Sequence, residues 1–164
     1  MTFGERLAEA FGVFPEPLAV FLLAMSPIGE VRMSIPVGIL AFGMGWAEAF
    51  TWSLLGNLLV VPLLTVLLPW AERMMRKRPR TERMLEWTFE RTRNKAGDKV
   101  RKYQEYAVFL FIATPVPGTG AWTGVLVAHL FGLSFKESIR YYYAGIVAAC
   151  VIATALVQLG VLVL

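Results

Sequence analysis

An acid and a base lie two residues apart in a short polar stretch, residues 26–36, with the sequence S-P-I-G-E-V-R-M-S-I-P. Glu30 could carry a proton, and Arg32 could bind a phosphate or carboxylate through its fork of donors. Apolar sequence flanks the stretch on both sides. An ionisable residue at membrane depth is costly unless it is paired or faces a cavity. The pair is therefore a candidate substrate and proton site, with a purely structural ion pair as the alternative.

A second interrupted stretch, residues 114–124, reads T-P-V-P-G-T-G-A-W-T-G. Half-helices beginning near Pro36 and Ala121 would point their positive ends at an anion between the two stretches. Glycines in the second stretch would allow close backbone approach, and whether they also contact substrate is left open. Together the stretches contribute these further candidates to the predicted site: Pro27, Ser34, Pro36, Pro115, Pro117, Gly118, Thr119, Gly120 and Trp122.

Two polar residues in apolar surroundings complete the candidates. Asn57 could cross-link helices or touch the site, and His129, the one histidine, could relay a proton or fill a structural role. Glu48 and Glu137 are interpreted as residues at helix starts, where a carboxylate is favourable.

The composition predicts an integral membrane protein. The 164 residues are 57% hydrophobic and 17% charged, with a mean hydropathy of +0.58, whereas soluble domains carry about 25% charged residues. Residues 72–105 hold twelve Lys and Arg against six Asp and Glu. Such a basic segment beside membrane helices is typical of a cytoplasmic loop resting on anionic lipid, which is favoured over a nucleic-acid surface. The single cysteine, Cys150, excludes an intramolecular disulfide and a cysteine-based metal cluster.

Two apolar blocks, residues 17–45 and 107–132, are interrupted near their middles and are too short to cross a membrane twice, since one crossing needs about 20 residues. Each is predicted to be a re-entrant helical hairpin whose broken backbone is buried in protein or lines a cavity. The predicted fold is a single all-α membrane domain. Its other segments are an amphipathic interfacial helix (1–14), transmembrane helices (46–70 and 135–164) and a helical basic cytoplasmic segment (71–106).

The two halves match at an offset of 89 residues. Residues 42–50, F-G-M-G-W-A-E-A-F, align with residues 131–139, F-G-L-S-F-K-E-S-I, and Gly56 aligns with Gly145. We interpret this as an internal repeat. Because each half would be a hairpin that returns to its own side plus one crossing, the repeats are predicted to be inverted, as in transporters. With residues 71–106 in the cytoplasm, both termini are external.

The motif S-P-I-G-E-V-R-M-S-I-P-V-G, followed 88 residues later by T-P-V-P-G-T-G-A-W-T-G, closely resembles the small multi-drug export protein family, which is similar to the DedA/VTT membrane superfamily. The resemblance covers residues 15–160. It implies paired re-entrant loops and, for the DedA-like group, proton-linked transport or flipping of lipid phosphates such as the undecaprenyl carrier. DedA-like proteins carry arginine in the second loop, whereas residues 116–124 here contain no charge. Arg32 would then be the partner of an anion.

The sequence therefore predicts a DedA-like transporter, proton-coupled, that moves an amphipathic or anionic lipid-like substrate between two re-entrant loops. Its expected partners are membrane lipids, protons and a lipid phosphate or amphipathic small molecule, in a prokaryotic inner membrane. Two alternatives stay open: an energy-independent lipid scramblase, and a non-transporting membrane assembly protein that uses residues 71–106 as its contact surface. No HExxH, GxSxG or P-loop is present, so no enzyme, metal or cofactor is predicted. A homodimer would help to bury the loops.

Overall fold

The computed structural model describes residues 3–77, 98–114 and 119–160, and every regular element in that part of the chain is helical. In chain order the helices are α1 (Phe3–Phe11), α2 (Glu16–Met25), α3 (Glu30–Pro36), α4 (Trp46–Arg76), α5 (Asp98–Ala113), α6 (Ala121–Leu130) and α7 (Phe135–Gln158). A five-residue π-helical turn, Val37–Ala41, continues α3. The short first helix packs mainly against this turn.

Among the described residues, two helices are long and apolar enough to cross a membrane. These are the segment Trp46–Met74 within α4 and the segment Ser138–Gln158 within α7. At about 1.5 Å per residue each can span the roughly 30 Å hydrocarbon core of a bilayer. Large apolar side chains on their outer faces, such as Leu59, Leu63 and Val151, are exposed. That exposure suits contact with lipid tails.

Three helix boundaries differ from the predicted segments. Helix α4 continues past residue 70 to Arg76, because Glu, Arg and Met after Trp70 are good helix formers. Helix α5 begins at Asp98 instead of residue 107, since the change from polar to apolar sequence there does not interrupt helical propensity. Helix α7 ends at Gln158, and Gly160, with a φ of +69°, follows it as a left-handed cap. The last four residues of the predicted segment, 161–164, lie outside the described residues.

Each interrupted apolar block forms two short helices joined by a loop. In the first block α2 ends at Met25 and α3 begins at Glu30, so the prediction of a helix start near Pro36 is wrong. Pro36 lies inside the helix, and the π-helical turn follows it directly. In the second block α6 begins at Ala121, as predicted.

The short helices are held between the two long ones. Helix α2 packs against α4 and α5 packs against α7, while α3 crosses to α7 and α6 crosses to α4; the long helices α4 and α7 also touch. Their common core contains Ile35, Val60, Val61, Leu64, Ile112, Ile146 and Cys150, each 2% exposed or less. This arrangement brings the first loop (residues 26–29) close to the described part of the second loop (residues 114–120), which is Thr114, Thr119 and Gly120.

Candidate functional site

The first loop is closed by its own serine. Ser26 Oγ donates a hydrogen bond to Leu23 O at 2.8 Å and accepts one from Gly29 N at 2.9 Å. A side chain at position 29 would collide with the backbone oxygen of Leu23, so only glycine fits there. Pro27, a predicted site residue, is exposed in this loop. The tight loop leads directly into Glu30.

Glu30 has a left-handed backbone, with a φ of +45°. This conformation costs an L-residue about 1–2 kcal/mol, so the packing around Glu30 must hold it there. Glu30 is only 7% exposed, and its Oε2 accepts a hydrogen bond from Arg32 Nη1 at 2.8 Å. The predicted acid–base pair therefore exists and is largely buried. Burial disfavours the charged carboxylate, while the neighbouring guanidinium favours it.

Arg32 connects the two loops through its guanidinium. Nη2 donates to Ile112 O at 2.9 Å, to Thr114 O at 2.5 Å and to Thr119 Oγ1 at 3.0 Å, and Nη1 also donates to Thr119 O. The last carbonyls of a helix lack partners within the helix, and a cation is favourable at a helix C-terminus. Arg32 Nε is buried without a partner among the described residues. The guanidinium thus closes the second loop onto the first.

The start of α6 contacts Glu30 directly. Trp122 N donates to Glu30 Oε1 at 3.2 Å, which places a carboxylate at a helix N-terminus, and Trp122 Nε1 donates to Met25 O at 2.9 Å. Gly120 precedes α6 with φ +156° and ψ −166°, a region that essentially only glycine adopts. A Cβ at Gly120 would overlap the Glu30 carboxylate and meet the Arg32 guanidinium. Glycine is therefore required for the two loops to approach this closely.

Ser34 and Asn57 hold the first hairpin against α4. Ser34 Oγ donates to Ser53 Oγ at 2.8 Å with both residues fully buried, and Asn57 Nδ2 donates to Ala24 O at 3.1 Å. Their hydrogen bonds run between helices and do not reach the Glu30–Arg32 pair. These two predicted site residues therefore support the hairpin that carries the pair.

His129 lies at the opposite end of α6 from Gly120. Its Nε2 is 3.0 Å from Glu72 Oε2, and Arg76 pairs with the other oxygen, Glu72 Oε1, through Nε at 2.9 Å and Nη2 at 2.8 Å. Nine residues of helix, about 13 Å, separate His129 from Gly120. The predicted histidine is thus not part of the Glu30–Arg32 cluster, and it links α6 to the end of α4.

Sequence reasoning missed several contributors to these clusters. Glu72 lies in the segment predicted to follow the transmembrane helix, and it faces His129 only because α4 runs on to Arg76. The carbonyl groups of Ile112 and Thr114 are backbone atoms with no sequence signature. Pro115, Pro117 and Gly118 lie outside the described residues. Within the described part of the chain no three His, Cys, Asp or Glu side chains cluster as metal ligands.

Comparison with known proteins identifies the family. Residues 30–152, about three quarters of the chain, match the model of the family described as "Putative small multi-drug export protein". No curated protein and no solved structure gives a match. The matched region contains the Glu30–Arg32 pair, the second loop and most of both long apolar helices. It is described as an export family, not an enzyme family. The chain is thus an integral membrane protein and belongs to the small multi-drug export protein family.

Proposed function

We propose that the protein is a proton-coupled membrane transporter that moves an amphipathic or anionic lipid-like substrate between its two loops, with Glu30 and Arg32 as the proton and substrate site. One observation carries this proposal. A largely buried ion pair on the first hairpin makes hydrogen bonds, through both of its members, to the second loop and its flanking helices. Intramembrane ionisable residues are expensive to bury and commonly mark transport pathways.

An inverted repeat is supported by the packing of matched positions. In each half the long helix carries a glycine that packs against the first short helix, Gly56 against the backbone oxygen of Phe21 and Gly145 against that of Phe109. The two glycines are 89 residues apart and the two phenylalanines 88. Gly43 and Gly132, also 89 apart, precede the two long helices with φ values of +67° and +72°. In the first half α2 packs against α4 and α3 packs against α7. In the second half α5 packs against α7 and α6 packs against α4, so the two halves make equivalent contacts.

The proposed orientation follows from this repeat and from the basic segment. Residues 71–106 lie in the cytoplasm of a prokaryotic cell and both termini are external, so the hairpins enter from opposite faces. The test uses the Cys150→Ala background with a single cysteine at Met74 or Leu159, both exposed. A membrane-impermeant maleimide should label position 159 in intact cells and position 74 only after permeabilisation. The reverse pattern would overturn the orientation.

The chemistry starts from the two terminal nitrogens of the Arg32 guanidinium. They already donate to Glu30 and to oxygens on the other side of the contact, so an anionic group that binds there displaces oxygens of Thr114 and Thr119. Arg32 Nε takes no part in these hydrogen bonds. Protonation of Glu30 removes the charge that neutralises the guanidinium, and an anion then restores neutrality. A proton and an anionic group therefore favour each other's binding. Release of the loop carbonyls would loosen the second loop from the first and open a path between them.

Transport by protein reconstituted in liposomes tests this proposal. The probes are fluorescent NBD-phosphatidylglycerol, an anionic lipid, and ethidium, an amphipathic cation, each with and without a pH gradient. Glu30→Gln should lower gradient-dependent transport at least about tenfold, because a charge-assisted hydrogen bond contributes about 1.5–3 kcal/mol. The matched control is Glu48→Gln, an exposed acid in the first turn of α4, which should transport normally.

The pattern of outcomes separates the alternatives. Movement of NBD-phosphatidylglycerol that is equally fast without a gradient would identify a scramblase. Movement of ethidium alone would make the substrate's polar end cationic, with Glu30 instead of Arg32 as its partner. If neither probe moves above the level of empty liposomes, or if Glu30→Gln matches Glu48→Gln, the transport mechanism assigned to the pair is wrong.

A further inference from the structure

A cavity of about 200 Å³ lies between the second half of α4, the end of α6 and the start of α7. Its described lining residues include Thr65 from α4, Val125 and His129 from α6, and Phe135 and Tyr142 from α7. The His129 side chain is 27% exposed and Thr65 is half-buried, so both present accessible surface. Tyr142, only 2% exposed, contributes buried wall.

Water suits this cavity. A buried water needs about 10–15 Å³ of space and two to four polar partners, and the cavity has room for several waters. Thr65 Oγ1 donates to Pro62 O at 2.8 Å, and its oxygen can still accept a hydrogen bond. The His129 ring has two nitrogens, and each can donate or accept according to the tautomer. A chain of waters along this wall therefore has polar partners at both Thr65 and His129.

The cavity lies along α6 between the buried ion pair and the end of α4. Trp122, whose N–H donates to Glu30 Oε1, is three residues before Val125, a rise of about 4.5 Å. At the other end of the cavity, His129 Nε2 is 3.0 Å from Glu72 Oε2. The cavity thus covers most of the distance along α6 between Glu72 and Glu30, and it stops about one helical turn short of the Trp122 contact.

The groups around His129 favour a proton carrier at this end of the bundle. From α4 the ring faces Glu72, whose other oxygen is paired with Arg76, and a carboxylate there stabilises a protonated ring. From α7 the cavity presents Tyr142, and among the described residues no side chain of α5 lines it. The matching position in the other half, 89 residues earlier, is Leu40. A titratable side chain at this position therefore belongs to one half of the chain.

We propose that the cavity holds water and forms the cytoplasmic half of the proton route, with His129 as the group that carries the proton between Glu30 and the cytoplasm. This deepens the proposed function and rests on it. Glu30 releases its proton to water in the cavity, His129 accepts it, and the imidazolium, stabilised by Glu72, passes it to cytoplasmic water. His129 and Glu72 end as they began, and one proton has moved. The last helical turn opens when the second loop, which leads into α6, leaves Arg32.

Cysteine modification tests the water content of the cavity and requires no transport. In the Cys150→Ala background, Thr65→Cys places a thiol on the cavity wall. Val66→Cys is the matched control, because Val66 lies at nearly the same depth and is 73% exposed on the outer face of α4. The protein is held in lipid nanodiscs and treated with aminoethyl methanethiosulfonate, and modification is followed by intact-protein mass spectrometry. Because the thiolate is the reactive form and needs water to ionise, Thr65→Cys should react at least about tenfold faster than Val66→Cys.

Chemical rescue tests His129 as the proton carrier. His129→Ala and His129→Gln should each lower gradient-dependent transport of the responsive probe at least about tenfold, because a positioned proton-transfer group contributes about 10²–10⁴-fold. Imidazole added to the medium fits the space left in His129→Ala and should restore transport there, but not in His129→Gln, where the side chain fills the space. Pyrazole has the same shape and is a much weaker base, so it should not restore transport. Thermal unfolding in detergent shows whether each variant is folded.

Three results would overturn the route: equal modification of Thr65→Cys and Val66→Cys, wild-type transport by both His129 variants, or equal rescue by imidazole and pyrazole. Failure of the proposed function gives a different pattern. If Glu30→Gln stops transport while both His129 variants transport normally, the route is wrong and the proposed function stands. If the wild-type protein moves neither probe, the proposed function is wrong and the route is wrong with it.

Discussion

The two loops contribute opposite chemistry to one site. The first hairpin supplies both charges, Glu30 and Arg32, whereas the described part of the second loop and its flanking helices supplies uncharged carbonyl acceptors and the Trp122 amide. Neither side is complete alone: Arg32 would keep only Glu30 as an acceptor, and the Ile112 carbonyl near the end of α5 would lose Arg32 as its donor. The two sides of the contact therefore contribute different polar groups. The site belongs to their assembly and not to either hairpin.

Arg32→Met should weaken the contact between the two sides of the site more than any other single substitution proposed here. The substitution removes every guanidinium hydrogen bond across the contact and leaves the Glu30 carboxylate buried without a counter-charge, with only the Trp122 donors still joining the two sides. Removal of one member of a buried ion pair costs about 3–5 kcal/mol, so a clear fall in the thermal unfolding temperature in detergent is expected. Arg73→Met, at an exposed position near the end of α4, is the control and should stay within about 0.5 kcal/mol. Equal stability of the two variants would mean that Arg32 does not hold the loops.

Gly120→Ala tests the same contact from the side of the second loop, which supplies no charge. The new methyl group would overlap the Glu30 carboxylate, and overpacking of this kind costs about 1–3 kcal/mol. The ion pair would have to shift, so transport of the responsive probe should fall together with stability. Gly45→Ala is the control, since a Cβ there meets nothing within 4 Å. Wild-type stability of Gly120→Ala would show that the loops are not closely apposed.

Gly56 in α4 and Gly145 in α7 test whether the long helices pack alike in the two halves. An added Cβ at Gly56 would collide with the backbone oxygen of Phe21, whereas one at Gly145 would lie 2.9 Å from the Cβ of Ile112. Both alanine variants should be destabilised by about 1–3 kcal/mol, and Gly56→Ala should be the worse because backbone cannot move aside. Thermal unfolding measures the difference. A neutral Gly145→Ala beside a damaging Gly56→Ala would argue against equivalent packing in the two halves.

The His129–Glu72 contact should have the smallest effect. Its side chains are 27% and 23% exposed, and ion pairs at such positions contribute about 0–1 kcal/mol. A double-mutant cycle with His129→Gln and Glu72→Gln should therefore give a coupling energy below about 1 kcal/mol. Coupling as large as that expected for Glu30 and Arg32 would mean that the end of α4 is a second site of equal weight.

Sequence patterns predicted where polar residues of the candidate site come together, but not which groups they contact. The interruption of two apolar blocks and the two-residue spacing of Glu30 and Arg32 predicted where the polar groups cluster, because both features are expensive in apolar surroundings. The start of α3 at Glu30 depends on a left-handed backbone that a glutamate rarely adopts. The sequence therefore predicted the start of this helix too late, near Pro36. The acceptors of Arg32 are carbonyl groups present in every residue, and only assembly of the halves selects Ile112 and Thr114.

The double variant Glu30→Gln with Arg32→Met tests most directly whether the pair acts in transport or only holds the two loops together. Replacing a buried ion pair by neutral groups of similar volume is often neutral for stability. The double variant should therefore unfold at a higher temperature than Arg32→Met alone, while gradient-dependent movement of NBD-phosphatidylglycerol or ethidium stays at the level of empty liposomes. Restored stability together with wild-type transport would contradict the account and would mean that the pair has only a structural role.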